Sequence, residues 1–532
     1  LRGAITATRQ IGRHDAEAAL LERAAAIRPW PVFQSQLSIA RLRIGHLAAA
    51  RAARAAAIAA DPDGIDERFR RHLDDLAGAD WLIETLDAPA AARNAPPRDA
   101  PVAYCLHNSL PHAAGGYAMR SHALAAAIRA TGRDLIAAVR PGFPSDGTGD
   151  AADIAAETRI DRVRYIFENG FGRRGRSFGY IREAAEYYAR LFEARGIGIV
   201  HAATNFWTAL PAALAARRLG LPFVYEVRSF WSVTREAEEP GFRRLPQARR
   251  DDLLEQLTLA LADRVLALNS AMAGQLAEFG VDPARVRIVP NCVDTDRFCP
   301  GPRDPALTER YGIAPEDIAI GYIGAMREYE GLDLLIEAAG GLAPDYPRLK
   351  LLIFGADPAL AQTPGTVEHA LAARIEASGC AAIRLLPLVP PDIVPALYRS
   401  FDICAYPRRG FEVTELVPPL KPLEAMASGR PVVISDVGGM RDLVDHERTG
   451  LVCAKDDAQS LAAMLTRLLE DRELRERLGE AGRRFVSSER SWSDAAATVE
   501  GVYAGLGGAE RYTGERSPAE LLDALFGAGA ER

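Results

Sequence analysis

The residues best placed to do chemistry lie in PPLKPLEAMASGRPVVISDVGG, Pro418 to Gly439. Glu424 falls on the first turn of an expected helix, and Lys421 sits one turn earlier. The small residues Ala425, Ala427, Ser428 and Gly429 follow, then an apolar strand, Val432 to Ile434, and a Gly438-Gly439 turn. Ligands of an open α/β sheet bind where strand carboxyl ends meet helix amino ends. A carboxylate there can accept hydrogen bonds from ribose hydroxyls. It can equally be a helix N-terminal acid favoured by the dipole, and from the residues alone the two readings stand level.

Other loops carry groups of the same kind. In Ser109 to Leu124, Gly115 and Gly116 let backbone N–H groups approach an anion at a helix start, and Arg120 follows one turn in, for a phosphate or acceptor or for solvent. In Ile320 to Ala339, Arg327 lies in the loop between strand and helix, where a guanidinium can hold a diphosphate bidentately or simply be exposed. Glu226 and Arg228 end an apolar strand and either bind an acceptor or pair with each other. Arg173, Arg174 and Arg176 make the loop Gly170 to Arg176 basic, able to steer a phosphate-bearing or lipid-linked acceptor, or to be a solvated loop. Asn291 and Asp294 suit a sharp turn leaving the first domain.

The elements needed to hold these groups follow from the pattern. Residues 1–88 read as helical, with a weak 33-residue repeat that aligns Ile11-Gly12 with Ile44-Gly45, Ala24 with Ala57 and Pro29 with Pro62. That period suits tetratricopeptide-like helix pairs, and a plain Ala-rich bundle is the competing reading. Residues 89–101 are a Pro-rich linker. Strands then alternate with helices in two doubly wound parallel-sheet domains, 102–299 and 300–490. Expected strands are Val102 to Leu106, Leu135 to Val139, Ile197 to His201, Phe223 to Val227, Arg264 to Leu268 and Val286 to Val289. In the second domain they are Ile318 to Ile323, Leu349 to Phe354, Ile383 to Leu386, Ile403 to Tyr406 and Pro431 to Ile434. Residues 491–506 form a C-terminal helix that can cross back to the first domain, and 507–532 a loosely ordered tail.

Composition bounds the function. The 532 residues are 48% hydrophobic and 25% charged, enough for several packed cores. A net charge of −7 argues against bulk nucleic-acid binding. The six cysteines form no CxxC pair or Cys/His cluster, which predicts reduced thiols and neither a disulfide frame nor a zinc site. No run is apolar enough to span a bilayer. The chain begins at Leu1 rather than Met, so the sequence is silent on what precedes it.

The order of Gly-Gly loop, NCVD turn (Asn291 to Asp294), YEGLDLLIEA and PLKPLEAMASGRPVV resembles the retaining glycosyltransferases of family four, over roughly residues 100–505. VYEVRSFW (Val224 to Trp231) and RPGFPSD (Arg140 to Asp146) resemble a bacterial branch of it. The resemblance implies a GT-B fold, two Rossmann-like domains facing a cleft with the acceptor on the first and the nucleotide sugar on the second. It implies transfer from a UDP- or GDP-linked sugar to a glycan, lipid-linked or small-molecule acceptor with retention, no metal and no other cofactor. A cytoplasmic location follows, with peripheral contact at the inner membrane face, and the N-terminal helices are a candidate surface for a protein partner. Residue by residue, Glu424 matches the ribose-binding second glutamate of the E-x7-E motif, Gly115 and Gly116 the phosphate loop, and Arg327 the loop that supplies diphosphate cations. Gly438 and Gly439 are expected to add N–H groups, and Arg120, His201, Glu226 and Arg228 to face the acceptor. Several positions depart from the pattern: Leu416 stands where the first glutamate is expected, Glu330 where a lysine is expected, Ala325 near an expected arginine, Cys292 in place of glycine and Ala203 in place of a histidine. Lys421 and Arg327 are the expected replacements for the lost cations. The alternatives are a non-catalytic scaffold with a degenerate transferase body, and a GT-B epimerase or phosphorylase.

Overall fold

The computed structural model describes residues 1–10, 13–28, 30–60, 67–92, 95–148, 154–173, 176–508 and 516–526. Ile11, Gly12, Pro29, Pro62 and Arg174, named above, lie outside them. The chain divides into two compact units. The first comprises Leu1–Ala267, Ala273–Ile288 and Ala497–Arg532, and the second Leu268–Met272 and Val289–Ala496.

The first unit begins with five helices: α1 (Arg2–Gln10), α2 (His14–Ile27), α3 (Pro31–Arg43), α4 (Leu47–Ala60) and α5 (Glu67–Asp87). Both bounds of α4 lie 33 residues after those of α2, and α3 ends 33 residues after α1, so the sequence period has a structural counterpart. Alanine faces let these helices approach closely, with Leu21, Leu37 and Ala40 buried between them. Leu76, Ala79, Leu82 and Leu86 of α5 pack on the helix Phe178–Ala194. Gly78 is required there, because a Cβ would lie 2.3 Å from the Phe178 carbonyl carbon.

The sheet of this unit contains β1 (Val102–Leu106), β2 (Leu135–Val139), β3 (Glu157–Ile160), β4 (Val163–Ile166), β5 (Ile199–Ala203), β6 (Phe223–Glu226), β7 (Arg264–Ala267) and β8 (Val286–Ile288). Their order is β3-β4-β2-β1-β5-β6-β7-β8, parallel except for β3 against β4. β1, β2 and β5 are buried along their whole length, as parallel strands covered on both faces must be. β3 and β4 escape the sequence reading because each is only four residues long, and β3 is also the edge strand. β3, with Glu157 and Arg159, alternates between exposed and half-buried positions.

The second unit contains β9 (Ile318–Ile323), β10 (Leu349–Ala356), β11 (Ile383–Pro387), β12 (Ile403–Tyr406), β13 (Val432–Ser435) and β14 (Leu451–Cys453), in the order β11-β10-β9-β12-β13-β14 and parallel throughout.

The C-terminal residues correct one expectation. Rather than a loosely ordered tail, Pro518–Phe526 is a helix that buries Leu521, Leu522, Leu525 and Phe526, with the Phe526 ring 5.2 Å from that of Phe178. The helix Trp492–Ala504 ends in the first unit, where Glu500 accepts from Arg133 and the Tyr503 hydroxyl lies 2.7 Å from His201 Nδ1. Among the described residues no helix is long and apolar enough to cross a membrane, and no group of three His, Cys, Asp or Glu side chains is placed to hold a metal ion. The cysteines are free thiols, four of them buried.

Candidate functional site

In an open parallel sheet a crevice forms where consecutive crossovers depart in opposite directions. In the second unit this is the carboxyl end of β9 and β12: β10 and β11 lie to one side, β13 and β14 to the other. Three strand-end loops and one helix meet there. Gly324 follows β9, Pro407 to Arg409 follow β12, Asp436 to Gly438 follow β13, and the helix Lys421–Ala427 points its first turn at them. Only glycine permits this approach. A Cβ on Gly355 would lie 1.9 Å from the Gly324 carbonyl oxygen, one on Gly331 1.9 Å from that of Pro407, and one on Gly324 2.1 Å from Lys421 Cε.

The Lys421 stem crosses Gly324 and delivers its ammonium 2.6 Å from the Tyr322 hydroxyl, 3.0 Å from Glu330 Oε1 and 4.7 Å above the Tyr322 ring. Arg408 donates to the same carboxylate, Nη2 to Oε1 at 2.8 Å and Nε to Oε2 at 3.3 Å, and through Nη1 to the Val417 carbonyl at 3.0 Å. Burial alone would raise the Glu330 carboxyl, but Arg408 and Lys421 outweigh it and hold it at about 2. Burial lowers the Lys421 ammonium below its ordinary value, and the Glu330 charge opposes that fall. The triad therefore carries two cations and one anion. Among the described residues, one ammonium proton and one further N–H on each of Nη1 and Nη2 remain for a ligand.

Glu424 lies one turn on from Lys421. The Tyr398 hydroxyl donates to its Oε2 at 3.0 Å, and burial raises its carboxyl above the ordinary range. Gly438 and Gly439 are glycines because the helix Glu412–Leu416 presses on them: a Cβ would lie 2.6 Å from the Glu415 carbonyl oxygen and 2.4 Å from that of Thr414. The Gly438 N–H, expected to serve a phosphate, donates here to Glu415 Oε2 at 2.7 Å. Glu415, one residue before the expected register, also takes Lys455 Nζ at 2.5 Å, while Leu416 is buried. Arg327 is exposed at the start of the turn Glu328–Glu330, and the guanidinium brought to Lys421 is that of Arg408. Sequence reasoning missed Arg408. The available signal was the Tyr-Pro-Arg-Arg step directly after the apolar strand β12.

In the first unit the switch point lies at β1 and β5. Gly115 caps the helix Gly116–Ala130 in an extended conformation, exposed, and a Cβ there would meet nothing within 4 Å. Gly116, the first residue of that helix, is exposed beside it. The four expected acceptor residues do come together, but as a closed buried network. Glu226 Oε1 accepts from Arg120 Nη2 at 2.8 Å and Nε at 3.1 Å, and Oε2 from Arg228 Nη2 at 2.9 Å and the Tyr104 hydroxyl at 2.6 Å. Arg228 Nη1 reaches Ser121 Oγ at 2.7 Å. His201 stands 3.7 Å from Glu226, and burial lowers it to about 4, so it is neutral. Of the four residues expected to face the acceptor, Glu226 thus pairs with Arg120 and Arg228, because isolated buried charges would be costly, and His201 meets the Tyr503 hydroxyl.

Residues 304–485 match the family described as "Glycosyl transferases group 1", and residues 115–292 match "Glycosyl transferase 4-like domain". The D-inositol 3-phosphate glycosyltransferase of Geodermatophilus obscurus is 30% identical over 360 residues, 66% of this chain and 75% of that protein. That of Xylanimonas cellulosilytica is 32% identical over 317 residues, 58% and 71%. Among solved structures, sucrose-phosphate synthase from Thermosynechococcus elongatus aligns with a TM-score of 0.64 at 20% identity, over 77% of this chain and all of that one. Anabaena HepE in complex with UDP-glucose aligns at 0.56 and 17% identity, over 76% and 100%. These likenesses establish the GT-B fold.

Proposed function

The chain belongs to the group 1 glycosyltransferases, and on that premise we propose that it moves a hexosyl or hexosaminyl group from a nucleoside-diphosphate sugar to a hydroxyl acceptor. The observation that carries this reading is the Lys421–Glu330–Arg408 triad at the β9/β12 switch point. Departure of a nucleoside diphosphate builds negative charge on phosphate oxygens. Fixed cations stabilise that charge without reorganising during the reaction. Lys421 and Arg408 offer their remaining N–H groups to the diphosphate, Glu424 takes the ribose hydroxyls, and exposed Arg327 adds a cation at the rim. The open Gly115-Gly116 turn can approach a phosphate.

Retention is part of the proposal: the leaving phosphate accepts the acceptor proton on the face it departs from, so neither a protein base nor a metal is required. UDP is the first donor to test, since a neighbour of the same fold is described with UDP-glucose. The 33-residue offset of α2 and α4 supports tetratricopeptide-like pairing and a partner-binding role for the N-terminal helices. Assembly of surface glycans at the inner membrane face is the setting this reading favours. A scaffold without transfer activity has no observation in its favour, because the triad retains unused donors.

The test is transfer from UDP-, GDP- and ADP-sugars, alongside thermal-shift titration with the free nucleotides. Lys421→Ala and Arg408→Ala should each lower kcat by about a hundredfold or more, as removal of one preorganised charge-stabilising donor does. Full turnover in both variants would overturn the assignment.

A further inference from the structure

The helix Lys421–Ala427 carries the ammonium and the carboxylate of the proposed donor site, yet its 7 residues make it too short to hold a geometry unaided. Tyrosines from other elements grip it: Tyr322 on β9, Tyr406 on β12 and Tyr398 on the helix Val394–Ser400, all buried. A tyrosine hydroxyl has one proton to give, and its destination separates the three. Tyr322 gives it to the Ala325 carbonyl at 3.1 Å and turns its lone pairs to the Lys421 ammonium. Tyr406 gives it to the Lys421 carbonyl at 3.1 Å. Tyr398 has two acceptors in reach, that same carbonyl at 3.4 Å and Glu424 Oε2 at 3.0 Å. Because Tyr406 already serves the carbonyl, the Tyr398 proton goes to the carboxylate, where the bond is shorter and charge-assisted.

The Tyr398 ring is itself fixed. Phe298 and Phe401 stand edge-on to it, with centroids 5.9 and 6.3 Å away. Its hydroxyl therefore anchors one oxygen of Glu424, whose long side chain a ligand would otherwise have to order at its own expense. Among the described residues no hydrogen bond reaches Oε1, so that oxygen and the second lone pair of Oε2 are left for a ligand. Burial raises the Glu424 carboxyl, and the Tyr398 hydrogen bond is foremost in opposing that rise, which favours the ionised acceptor. A ribose carries two neighbouring hydroxyls, and a carboxylate held in one orientation can accept from both.

From this geometry we infer that Tyr398 is a positioning residue for the nucleotide: its hydroxyl pins Oε2 of Glu424, and the pinned carboxylate makes the site select ribonucleotides over their deoxy counterparts. The inference rests on the reading of Glu424 as the group that takes the ribose hydroxyls, and names what makes that group selective. Tyr406, by contrast, supports only the backbone of the same helix.

The experiment is calorimetric titration of the full chain with UDP and GDP and with their 2′,3′-dideoxy counterparts. Wild type should bind its ribonucleotide at least about tenfold tighter than the dideoxy form, the scale of a hydrogen bond to a charged group. Tyr398→Phe keeps the ring and its packing. It should lose about that factor for the ribonucleotide, bind the dideoxy form as wild type does, and raise KM for the nucleotide sugar more than it lowers kcat. Tyr406→Phe, which removes an equally buried hydroxyl from the same helix, should keep the ribose preference. In a Glu424→Ala background Tyr398→Phe should cost nothing further. Circular dichroism and melting temperature check the fold of each variant. A ribose preference intact in Tyr398→Phe, an equal loss for both forms of the nucleotide, or a further loss in the Glu424→Ala background overturns the inference and leaves the reading of Glu424 standing. A wild type that binds both forms alike defeats that reading, and the inference falls with it.

Discussion

Glu330→Gln isolates what the carboxylate does inside the triad. Glu330 touches both cations, at 3.0 Å from Lys421 Nζ and 2.8 Å from Arg408 Nη2. Unit charges about 4 Å apart at an effective dielectric near 20 interact by about 4 kcal/mol. Losing even a third of this, about 1.4 kcal/mol, shifts the Lys421 protonation equilibrium tenfold. The direction is fixed by burial, which already lowers the Lys421 ammonium and is opposed first by Glu330. Without the carboxylate Lys421 deprotonates at lower pH. In the proposed role the charged form stabilises the leaving diphosphate, so the alkaline limb of kcat/KM should move to lower pH in Glu330→Gln. We expect rates within a few-fold of wild type on the acid side and a deficit that grows through the alkaline limb towards a limit of about tenfold, on the shift just derived. Lys421→Ala should abolish that limb. The assay is initial-rate transfer from the preferred nucleotide sugar across pH 6 to 9, with circular dichroism at each end. Parallel profiles for wild type and Glu330→Gln would refute the coupling of Glu330 to Lys421.

Gly324→Ala should cost activity and a little stability. Its Cβ would lie 2.1 Å from Lys421 Cε, and its φ of +158° also strains any side chain; a modestly lowered melting temperature with lost transfer is expected, and wild-type turnover would contradict it. Glu226→Gln should destabilise the first unit by about 3–5 kcal/mol, because it strands Arg120 and Arg228 in the interior. Burial raises the Glu226 carboxyl, but Arg228 and Arg120 together bring it well below its ordinary value. Its contribution is therefore present above the unfolded-state value near 4.5 and is lost as pH falls below it, so the urea-unfolding gap between wild type and Glu226→Gln should narrow below about pH 4.

Strands buried on both faces were legible. Val102–Leu106, Leu135–Val139, Ile318–Ile323 and Ile403–Tyr406 match their sequence readings residue for residue, since a continuous apolar run between turn residues has few other solutions. The edge strand β3, the four-residue β4 and the three-residue β14 were not, because β3 has half its positions exposed and the other two are too short to show a pattern. The site was legible as a set of types. Lys421 and Glu424 lie where the helix was expected to present them, and Glu330 was visible as a departure from the family pattern. Its pairing with Arg408 was hidden, because the two are 78 residues apart and only the closure of β9 on β12 brings them together. Arg120 and Glu226, 106 residues apart, illustrate the converse. Charged residues at a strand end suggest a ligand, and the fold uses them to satisfy each other.

The two units therefore apply one rule to different ends. At β6 in the first unit, every strong hydrogen-bonding position on the Glu226 carboxylate is occupied, and His201 is neutral, so the charges of that network are spent on one another. At β9 and β12 in the second unit, Glu330 engages two cations without exhausting either. A triad of net charge +1 suits a leaving group better than an unopposed lysine and arginine would. Uncompensated cations would bind the ground-state diphosphate and the released nucleotide as tightly as the transition state, which lowers KM without raising kcat. A carboxylate shared between the two cations weakens that uniform attraction and leaves the remaining N–H groups aimed at the charge that develops on departure. On this argument the replacement of the expected lysine by Glu330 is a redistribution of cations, in which the proposed site draws on Lys421 and Arg408 instead.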